Sequence, residues 1–337
     1  MTKSKKPIQP VSGTEVPRYA GPSTFARLPE LRDVESCDVA IVGVPFDSGT
    51  SYRPGARFGP QSIRQASRHL RTNYHPNYDV EPFKVQQVAD AGDITCNPFN
   101  IDEAIKQIEV GATDLLNKVG GIISLGGDHT IAVPLLRAAN KKNNGPVSLV
   151  HFDAHLDTWD TYFGAPYTHG TPFRRAREEN LFLDDASMHV GIRGPLYSRD
   201  DIKNDESFGF KIIHCDEFQT EGIDKIVERI KNRVGDNALY LSIDIDVLDP
   251  AFAPGTGTPE IAGMTTREMV NVLRGLSGLN LISADVVEVA PAYDHAEVTS
   301  LAAATIVYEL TNLFAKSWRK DNLRAWLKRE IFILMVH

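Results

Sequence analysis

The chain has 337 residues, a length that suits one large α/β domain or two ordinary ones. Its composition is 42% hydrophobic and 24% charged, and a formal net charge of -8 argues against nucleic acid or an anionic membrane as a general partner. Three widely spaced cysteines show no zinc-site or disulfide spacing, which indicates a reducing compartment. The N-terminus lacks a signal-peptide core, and no apolar run approaches the roughly 18 residues of a membrane span, so we expect a cytoplasmic protein with a small-molecule partner.

The secondary structure predicted along the chain alternates between strands and helices. Residues 1–35 are polar and lack periodicity, so we expect an N-terminal arm that wraps or is partly disordered. The alternation that follows predicts an α/β fold: a single three-layer α/β/α domain over residues 36–315 with a mainly parallel central sheet. The predicted strands are 38–44, 121–125, 147–152, 188–192, 211–214, 238–243 and 281–287, and the predicted helices include 101–119 and 223–234.

Unusual polar groups follow four of the predicted strands. In open parallel sheets, the loops after the carboxyl ends of strands collect the functional side chains. One such group alone is weak evidence for a functional site, because an isolated Asp-Xaa-Asp pair is usually a capped turn. The groups are His129 after 121–125, Asp153, His155 and Asp157 after 147–152, Asp244 and Asp246 after 238–243, and Glu288 after 281–287.

Two histidines and four aspartates at one sheet edge predict a metal site. Like charges buried together would raise several pKa values and destabilise the fold unless a cation met them. Carboxylate-rich sites with some imidazole and no thiolate favour Mn²⁺ or a similar divalent ion. Six ligands exceed the needs of one tetrahedral ion, so we expect two ions bridged by shared aspartates and a water whose pKa they lower.

Three motifs resemble the signatures of the ureohydrolase family, which includes arginases, agmatinases and guanidinobutyrases. The motifs are Gly126-Gly127-Asp128-His129, Asp153-Ala154-His155-Leu156-Asp157, and the stretch Ser242-Ile243-Asp244-Ile245-Asp246-Val247-Leu248-Asp249-Pro250. The likeness covers roughly residues 17–315, and the stretches FAPGTGTP and DVVEVAPAYDHAEVTSLAAA are closer to agmatinases than to arginases. The resemblance implies an arginase-like fold and hydrolysis of agmatine to putrescine and urea, as in polyamine biosynthesis.

The resemblance also implies roles for the matched residues. One manganese ion would be held by His129, Asp153, Asp157 and Asp244, and the other by Asp153, His155, Asp244 and Asp246. This gives two Mn²⁺ per subunit, with Ni²⁺ or Co²⁺ as other candidate ions. His169 would shuttle protons, Glu288 would hold the substrate guanidinium, and Asp157 would also orient the attacking hydroxide. Family members commonly assemble as trimers or hexamers, so a homo-oligomer is implied.

The loop 158–166 is expected to border the cleft and to influence substrate choice. Asp160 would face the ammonium of agmatine, whereas Arg174, Arg175 or Arg193 would face the carboxylate of 4-guanidinobutyrate; each is otherwise a surface or structural ion-pair residue. Trp159 either narrows the pocket or packs within the loop. The glycine- and proline-rich loops 53–60 and 253–259 are interpreted as rigid turns, with Thr256 and Gly257 as candidate cleft walls.

The C-terminal residues allow two interpretations. Residues 316–337 form a predicted extension with a basic amphipathic stretch and an apolar end. This extension either packs at an interface or surface or has no function.

The nearest rival function is a guanidinobutyrase or another guanidino-compound amidinohydrolase. Further rivals are a non-catalytic metal-binding subunit of a ureohydrolase assembly, and a metal-dependent deacetylase, which typically uses one zinc.

Overall fold

The computed structural model describes residues 6–336, with side chains up to residue 317. One sheet of eight strands runs through it, in the order β2-β1-β3-β8-β7-β4-β5-β6, and every neighbouring pair is parallel. The strands are β1 Cys37–Val44, β2 Val88–Asp93, β3 Val119–Gly126, β4 Ser148–Phe152, β5 Met188–Ile192, β6 Lys211–His214, β7 Ala238–Asp244 and β8 Asn280–Val287. The predicted parallel sheet is confirmed.

Helices cover both faces of this sheet. They are α1 Gly59–Ser67, α2 Pro82–Val85, α3 Ile101–Leu116, α4 Ala132–Asn143, α5 Pro172–Glu178, α6 Asp200–Ser207, α7 Glu217–Glu221, α8 Ile223–Val234, α9 Thr266–Gly275 and α10 Val298–Val336. In β1, Val39 and Ile41 join a core shared with α8, α9 and α10, whereas Ala40 and Val42 join a core shared with α3 and α4. Alternate side chains therefore feed two apolar layers, and the three-layer α/β/α prediction is confirmed.

One strand and one helix depart from the prediction. Strand β2 was not predicted, because its sequence VADAGD offers small and acidic residues in place of a β-branched run. The buried Asp90 is tolerated inside β2 because Arg64 binds it through two nitrogens, at 2.9 and 3.0 Å. The predicted helix 101–119 ends earlier, as α3, since Val119 already begins β3.

The described part of the N-terminal arm wraps against the domain. The backbone N–H of Ile8 donates to Gln87 (2.8 Å), and the N–H of Phe25 donates to Asp90 (2.7 Å). Phe25 and Leu28 are buried in the core. The wrapping alternative of the prediction therefore describes residues 6–35, and residues 1–5 lie outside the described part.

Helix α10 crosses the predicted boundary at residue 315 without a break. The segment Val298–Ser317 has the length and the mean hydropathy, 1.3, of a membrane-crossing helix, but 83% of its most apolar window is buried inside the protein. Ile306, Leu310 and Phe314 pack in the core, which fits a core helix. The backbone of the tail is helical to Val336, whereas the predicted packing of its side chains lies outside the described residues.

A buried carboxylate anchors α10 to two other segments. Glu309 is almost fully buried, lies 3.1 Å from His75 Nε2 and accepts a hydrogen bond from Arg274 (2.8 Å). Burial raises the pKa of Glu309, but the hydrogen bonds from His75 and Arg274 outweigh burial and hold the pKa below its ordinary value. The ionised carboxylate therefore stabilises the folded state.

We expect Glu309→Gln to lower the free energy of unfolding at neutral pH by about 1 to 3 kcal/mol, because it removes charge-assisted hydrogen bonds. A pKa lowered by folding gives stability that is present above the unfolded value, near 4.5, and lost as pH falls through the folded value. Urea unfolding of both proteins across this range should therefore show the difference shrinking in acid. Glu228→Gln, at an exposed position on α8, is the control, and a difference that persists unchanged in acid would contradict the ionised role of Glu309.

Candidate metal centre

The four strands that carry the predicted site residues are neighbours in the sheet, in the order β3-β8-β7-β4. Because the strands are parallel, their carboxyl ends meet at one edge. His129 begins a short 3-10 turn after β3, Asp153 follows β4, Asp244 ends β7 and Glu288 follows β8. The strand order therefore brings residues distant in sequence into one site.

The first group of ligand atoms surrounds His129. Its Nδ1 lies 3.2 Å from Asp153 Oδ2, 3.0 Å from Asp157 Oδ2 and 3.3 Å from Asp244 Oδ2. His129 and Asp153 are fully buried, and Asp244 is 3% exposed. One imidazole nitrogen and three carboxylate oxygens thus converge on one point.

The second group shares Asp153 with the first. His155 Nδ1 lies 3.2 Å from Asp153 Oδ1 and 3.2 Å from Asp246 Oδ2. The two oxygens of Asp153 therefore face different histidines, so Asp153 would contribute to both groups of metal ligands. All six predicted metal ligands come together at this edge.

The donor atoms fit two divalent cations. His129 Nδ1 is buried and makes no hydrogen bond among the described residues, although three carboxylates surround it. Burial, and then the charges of Asp246 and Asp153, raise the pKa of Asp244 well above its ordinary value, and burial with Asp153 raises the pKa of Asp246 to about 6. Divalent ions would relieve this crowding, and oxygen and imidazole donors without sulfur suit Mn²⁺.

A hydrogen-bonded chain behind His129 fixes its tautomer. Its Nε2 lies 2.9 Å from Ser242 Oγ, whose hydroxyl donates to Asp285 Oδ1 at 2.8 Å. Tyr240 donates to the other oxygen of Asp285 at 2.5 Å. Because the Ser242 hydroxyl donates to Asp285, His129 must donate through Nε2, which leaves Nδ1 free to bind a metal.

A second buried chain leads away from Asp153. His151 Nε2 donates to Asp153 Oδ2 (2.7 Å), and His151 Nδ1 lies 2.7 Å from His189 Nδ1. His189 Nε2 in turn faces Asp205 at 3.4 Å. Burial lowers the pKa of both histidines and raises the pKa of Asp205 to about 7, so this chain is held largely uncharged behind the ligand.

The sequence analysis did not identify His151, Ser242 or Asp285 as parts of the site. The signal for His151 was present, since it precedes Asp153 and His155 at the same alternate spacing and so points to the same side of the strand. No comparable signal marked Ser242 and Asp285, because buried polar residues within a strand reveal their partners only in the folded sheet.

A cleft of about 540 Å³ opens over the metal centre, and His155, Asp157, Trp159, His169 and Asp244 are among the residues that line it. His169 Nε2 lies 2.7 Å from Ser51 Oγ, and its Nδ1 lies 3.3 Å from Glu288 Oε1. Burial lowers the pKa of His169, but its contact with Glu288 outweighs burial and raises the pKa to about 9.

Glu288 lies behind the cleft residue His169, which it contacts through Oε1, and has a left-handed backbone conformation with φ of 64°. Its Oε1 accepts the backbone N–H of His129 at 2.9 Å. Its Oε2 is buried and has no hydrogen-bond partner among the described residues. Gly257 lies close to this oxygen, since an added Cβ at Gly257 would lie 3.4 Å from Oε2. Oε2 is therefore free to accept from a ligand.

The predicted substrate residues Asp160 and Trp159 take different positions. The structure does not bring Asp160 into the cleft: it is 68% exposed and accepts a hydrogen bond from Arg175 at 2.8 Å. Trp159 lines the cleft and also stacks on Tyr162, with ring centroids 5.3 Å apart. Both interpretations of Trp159, pocket wall and packed loop residue, thus describe the same side chain.

The three arginines predicted as carboxylate partners are already engaged. Arg174 and Arg175 both bind Glu178, each at 2.9 Å. Arg193 lines the cleft, but its guanidinium donates to backbone carbonyls, including those of Asp246 (2.6 Å) and Glu260 (2.7 Å). Arg174 and Arg175 are therefore ion-pair residues, and Arg193 holds loops in place through its bonds to backbone carbonyls.

Comparison with known proteins gives one consistent family. The sequence profile of the arginase family matches residues 37–312. "Putative agmatinase 1" of Schizosaccharomyces pombe is 47% identical over 330 residues, covering 89% of this chain and 84% of that protein. Guanidinopropionase of Pseudomonas aeruginosa is 44% identical over 311 residues, covering 92% and 96%. The solved structure of proclavaminate amidinohydrolase from Streptomyces clavuligerus has a TM-score of 0.86 at 40% identity, covering 90% of this chain and 100% of that chain.

We expect Ser242→Ala to weaken divalent-metal binding about 10- to 100-fold, because His129 loses the acceptor that keeps its proton on Nε2. Competition between the protein and a chelator, followed by elemental analysis of bound manganese, measures the change. Ser283→Ala is the matched control, since Ser283 is buried in β8 and its hydroxyl contacts only the carbonyl of Ile122. Equal metal affinities in the two variants would refute the tautomer argument.

Proposed function

The chain belongs to the arginase family, and on that premise we propose that it hydrolyses agmatine to putrescine and urea with two manganese ions. The observation that carries the proposal is Glu288: its Oε2 is buried and unpartnered among the described residues, and its Oε1 accepts the backbone N–H of the predicted metal ligand His129 at 2.9 Å. A carboxylate oxygen in this position matches the planar N–H groups of a guanidinium. The family assignment makes the chain an amidinohydrolase, and the named substrate and metal are the proposal.

The reaction needs a strong nucleophile and a fixed substrate, because resonance makes the guanidinium carbon a poor electrophile. When bound, two divalent ions lower the pKa of a shared water and supply hydroxide near neutral pH. Glu288 orients the guanidinium, and Asp157, which lines the cleft, accepts a hydrogen bond from the attacking oxygen. The carbon becomes tetrahedral, and loss of the amine leaves urea.

The leaving amine requires a proton, and His169 is the group available to deliver it. His169 lines the cleft, its pKa is raised to about 9, and it is therefore protonated at neutral pH. Ser51 at Nε2 and Glu288 at Nδ1 fix the orientation of the ring. His169 protonates the amine and is reprotonated from solvent through the open end of the cleft.

Glu260 replaces Asp160 as the candidate partner for the ammonium of agmatine. It lines the cleft, and among the described residues no cationic side chain lies within ion-pair distance of its carboxylate. A carboxylate at the open end of the cleft complements a substrate that is cationic at both ends. The name of the Schizosaccharomyces pombe relative supports the same substrate.

A second candidate substrate is a guanidino acid, and Arg53 is the observation that favours it. Arg53 lines the cleft, and its guanidinium lies over the rings of Tyr52 (5.4 Å) and Tyr293 (5.3 Å). No acidic side chain in the described part of the chain pairs with it, so it is free to bind a substrate carboxylate. The name guanidinopropionase of the Pseudomonas aeruginosa relative supports this alternative.

The cellular context stays a proposal that follows from sequence and resemblance. We expect a cytoplasmic homo-oligomer, a trimer or hexamer, that acts in polyamine biosynthesis without a nucleic-acid or membrane partner. Light scattering of the purified protein and fractionation of the producing cell test these expectations directly.

We expect His169→Asn to lower kcat about 100-fold while two metal ions stay bound, because His169 donates no ligand atom to the metal clusters. Urea release and elemental analysis on the same sample measure both quantities. His214→Asn, at an exposed position, is the matched control. Unchanged turnover in His169→Asn would remove the proton-delivery role.

The decisive experiment measures urea release by the manganese-loaded protein from agmatine, 4-guanidinobutyrate, 3-guanidinopropionate and arginine, with Asp244→Ala as the blank. Preference for agmatine supports the proposal, and preference for a guanidino acid replaces the substrate while keeping the chemistry. Silence on all four compounds with metal bound would point to the non-catalytic subunit.

Two neutralising variants test which cleft charge selects the substrate. For an agmatine hydrolase, we expect Glu260→Gln to raise the KM for agmatine about tenfold and Arg53→Gln to leave it unchanged, because only Glu260 meets the ammonium. For a guanidino acid hydrolase the pattern reverses. Steady-state kinetics of both variants on both substrates distinguishes the cases, and equal KM values throughout would exclude both residues as selectors.

A further inference from the structure

A second cavity, far from the metal ligands in the fold, lies between the N-terminal arm and the segment after α1. It has a volume of about 400 Å³. Four arginines line it, Arg18, Arg27, Arg68 and Arg71, and no aspartate or glutamate is among its lining residues. We name it the arginine cavity. Cavities of this size hold small molecules, and this one is cationic.

Arg27 is the most deeply buried cation in the arginine cavity, with 3% of its surface exposed. Its NH1 donates to the carbonyl of Val16 at 3.0 Å, whereas its Nε and NH2 are buried without a hydrogen-bond partner among the described residues. The backbone at Arg27 is left-handed, with φ of 61°. A buried charge with two unused donors is costly unless an anion meets it.

Arg68 lies beside Arg27 and is similarly underused. Its Nε donates to the carbonyl of Arg18 (2.8 Å), and its NH1 is 3.4 Å from Gln65 Oε1. Its NH2 is buried and has no partner among the described residues. These contacts use neutral acceptors, so they leave the positive charge uncompensated.

Arg64, one turn earlier on α1, differs from Arg68 because carboxylates neutralise its positive charge. Arg64 is buried and donates to both oxygens of Asp90 and to Asp93 at 2.6 Å. Within residues 6–317, no carboxylate lies within ion-pair distance of any of the four cavity arginines. The described residues therefore supply no counter-charge for these arginines, which matters most for the buried Arg27.

We propose that the arginine cavity binds a small phosphate-bearing anion. Guanidinium groups form paired hydrogen bonds with phosphoryl oxygens, and several arginines together favour a multiply charged anion over chloride. The hydroxyls of Ser12 and Thr14 also line the cavity and provide further hydrogen bonds to oxygen. The ligand would tie the arm to the segment after α1.

The cavity shape favours a small anion over a carboxylate of a second copy of this chain. Arg27 and Arg68 both line this concave space, and each carries a buried guanidinium nitrogen without a hydrogen-bond partner among the described residues. A free oxyanion can enter such a space and bind Arg27 and Arg68 together. A side chain from a flat subunit contact would meet mainly Arg18 and Arg71, which are exposed at the rim.

The test is calorimetric titration of the full-length, manganese-loaded protein with inorganic phosphate, in buffers matched in ionic strength with sodium chloride. The variants are Arg68→Gln, Arg71→Gln and Arg27→Gln, with Arg32→Gln as the matched control. Arg32 is exposed in the same N-terminal segment and pairs with Glu30 (2.8 Å). Circular dichroism and manganese content verify folding, and Arg71→Gln keeps the test valid if the buried Arg27 variant does not fold.

We expect one saturable phosphate site that weakens about tenfold or more in Arg68→Gln and Arg71→Gln and is unchanged in Arg32→Gln. Phosphate bound at the metal centre would bind all variants equally, and that outcome would overturn the proposal. Heat no greater than with sodium chloride would also overturn it. If phosphate has no effect but Arg71→Gln lowers the assembly mass measured by light scattering, carboxylates of a second copy fill the cavity, and the proposal is wrong.

Discussion

The structure depends on a conflict of charge at the carboxyl edge of its sheet. Four aspartates and two histidines converge there, largely buried, with carboxylate oxygens 3.0 to 3.3 Å from the histidine nitrogens. Carboxylates gathered around the same two imidazoles repel one another, and burial removes the water that would screen them. The neutral His151 and His189 behind Asp153 add hydrogen bonds but no compensating charge. The cluster therefore fits divalent cations, and the fold brings its donor atoms together.

The strand order makes this crowding possible. The neighbouring strands β3, β8, β7 and β4 are each followed by a short polar turn. Four separate segments of the chain therefore contribute side chains to the same small site. Asp157 and Glu288 both have left-handed backbones, with φ of 55° and 64°, and such conformations persist only where the surrounding structure holds them. The sheet thus supports local strain at the predicted metal ligand Asp157 and at Glu288, the carboxylate proposed to bind the substrate.

The sequence predicts those parts of the structure whose signal is local. Seven of the strands, helix α8 and the six ligand positions follow from β-branched runs, helical periodicity and polar residues just after strands. Strand β2 was missed because Asp90 is acceptable inside a strand only when Arg64 from α1 binds it. Asp160 was misplaced for a similar reason: its partner, Arg175, lies on α5, and proximity to Asp157 along the chain does not determine which way a loop side chain points. Pairing between distant segments is a property of the fold.

Charge compensation connects the two sites that carry our proposals. Elsewhere the protein neutralises buried charge internally, as Arg64 does with Asp90 and as Glu309 does with Arg274. At the metal centre acidic groups outnumber the protein's own cations, and in the arginine cavity Arg27 and Arg68 lack any acid within the described chain. Each unpaired buried ion costs several kcal/mol, which is a large share of the net free energy of folding. A folded protein can therefore contain few of them. The same argument from uncompensated charge therefore supports both proposals: cations at the strand ends and an anion beside Arg27.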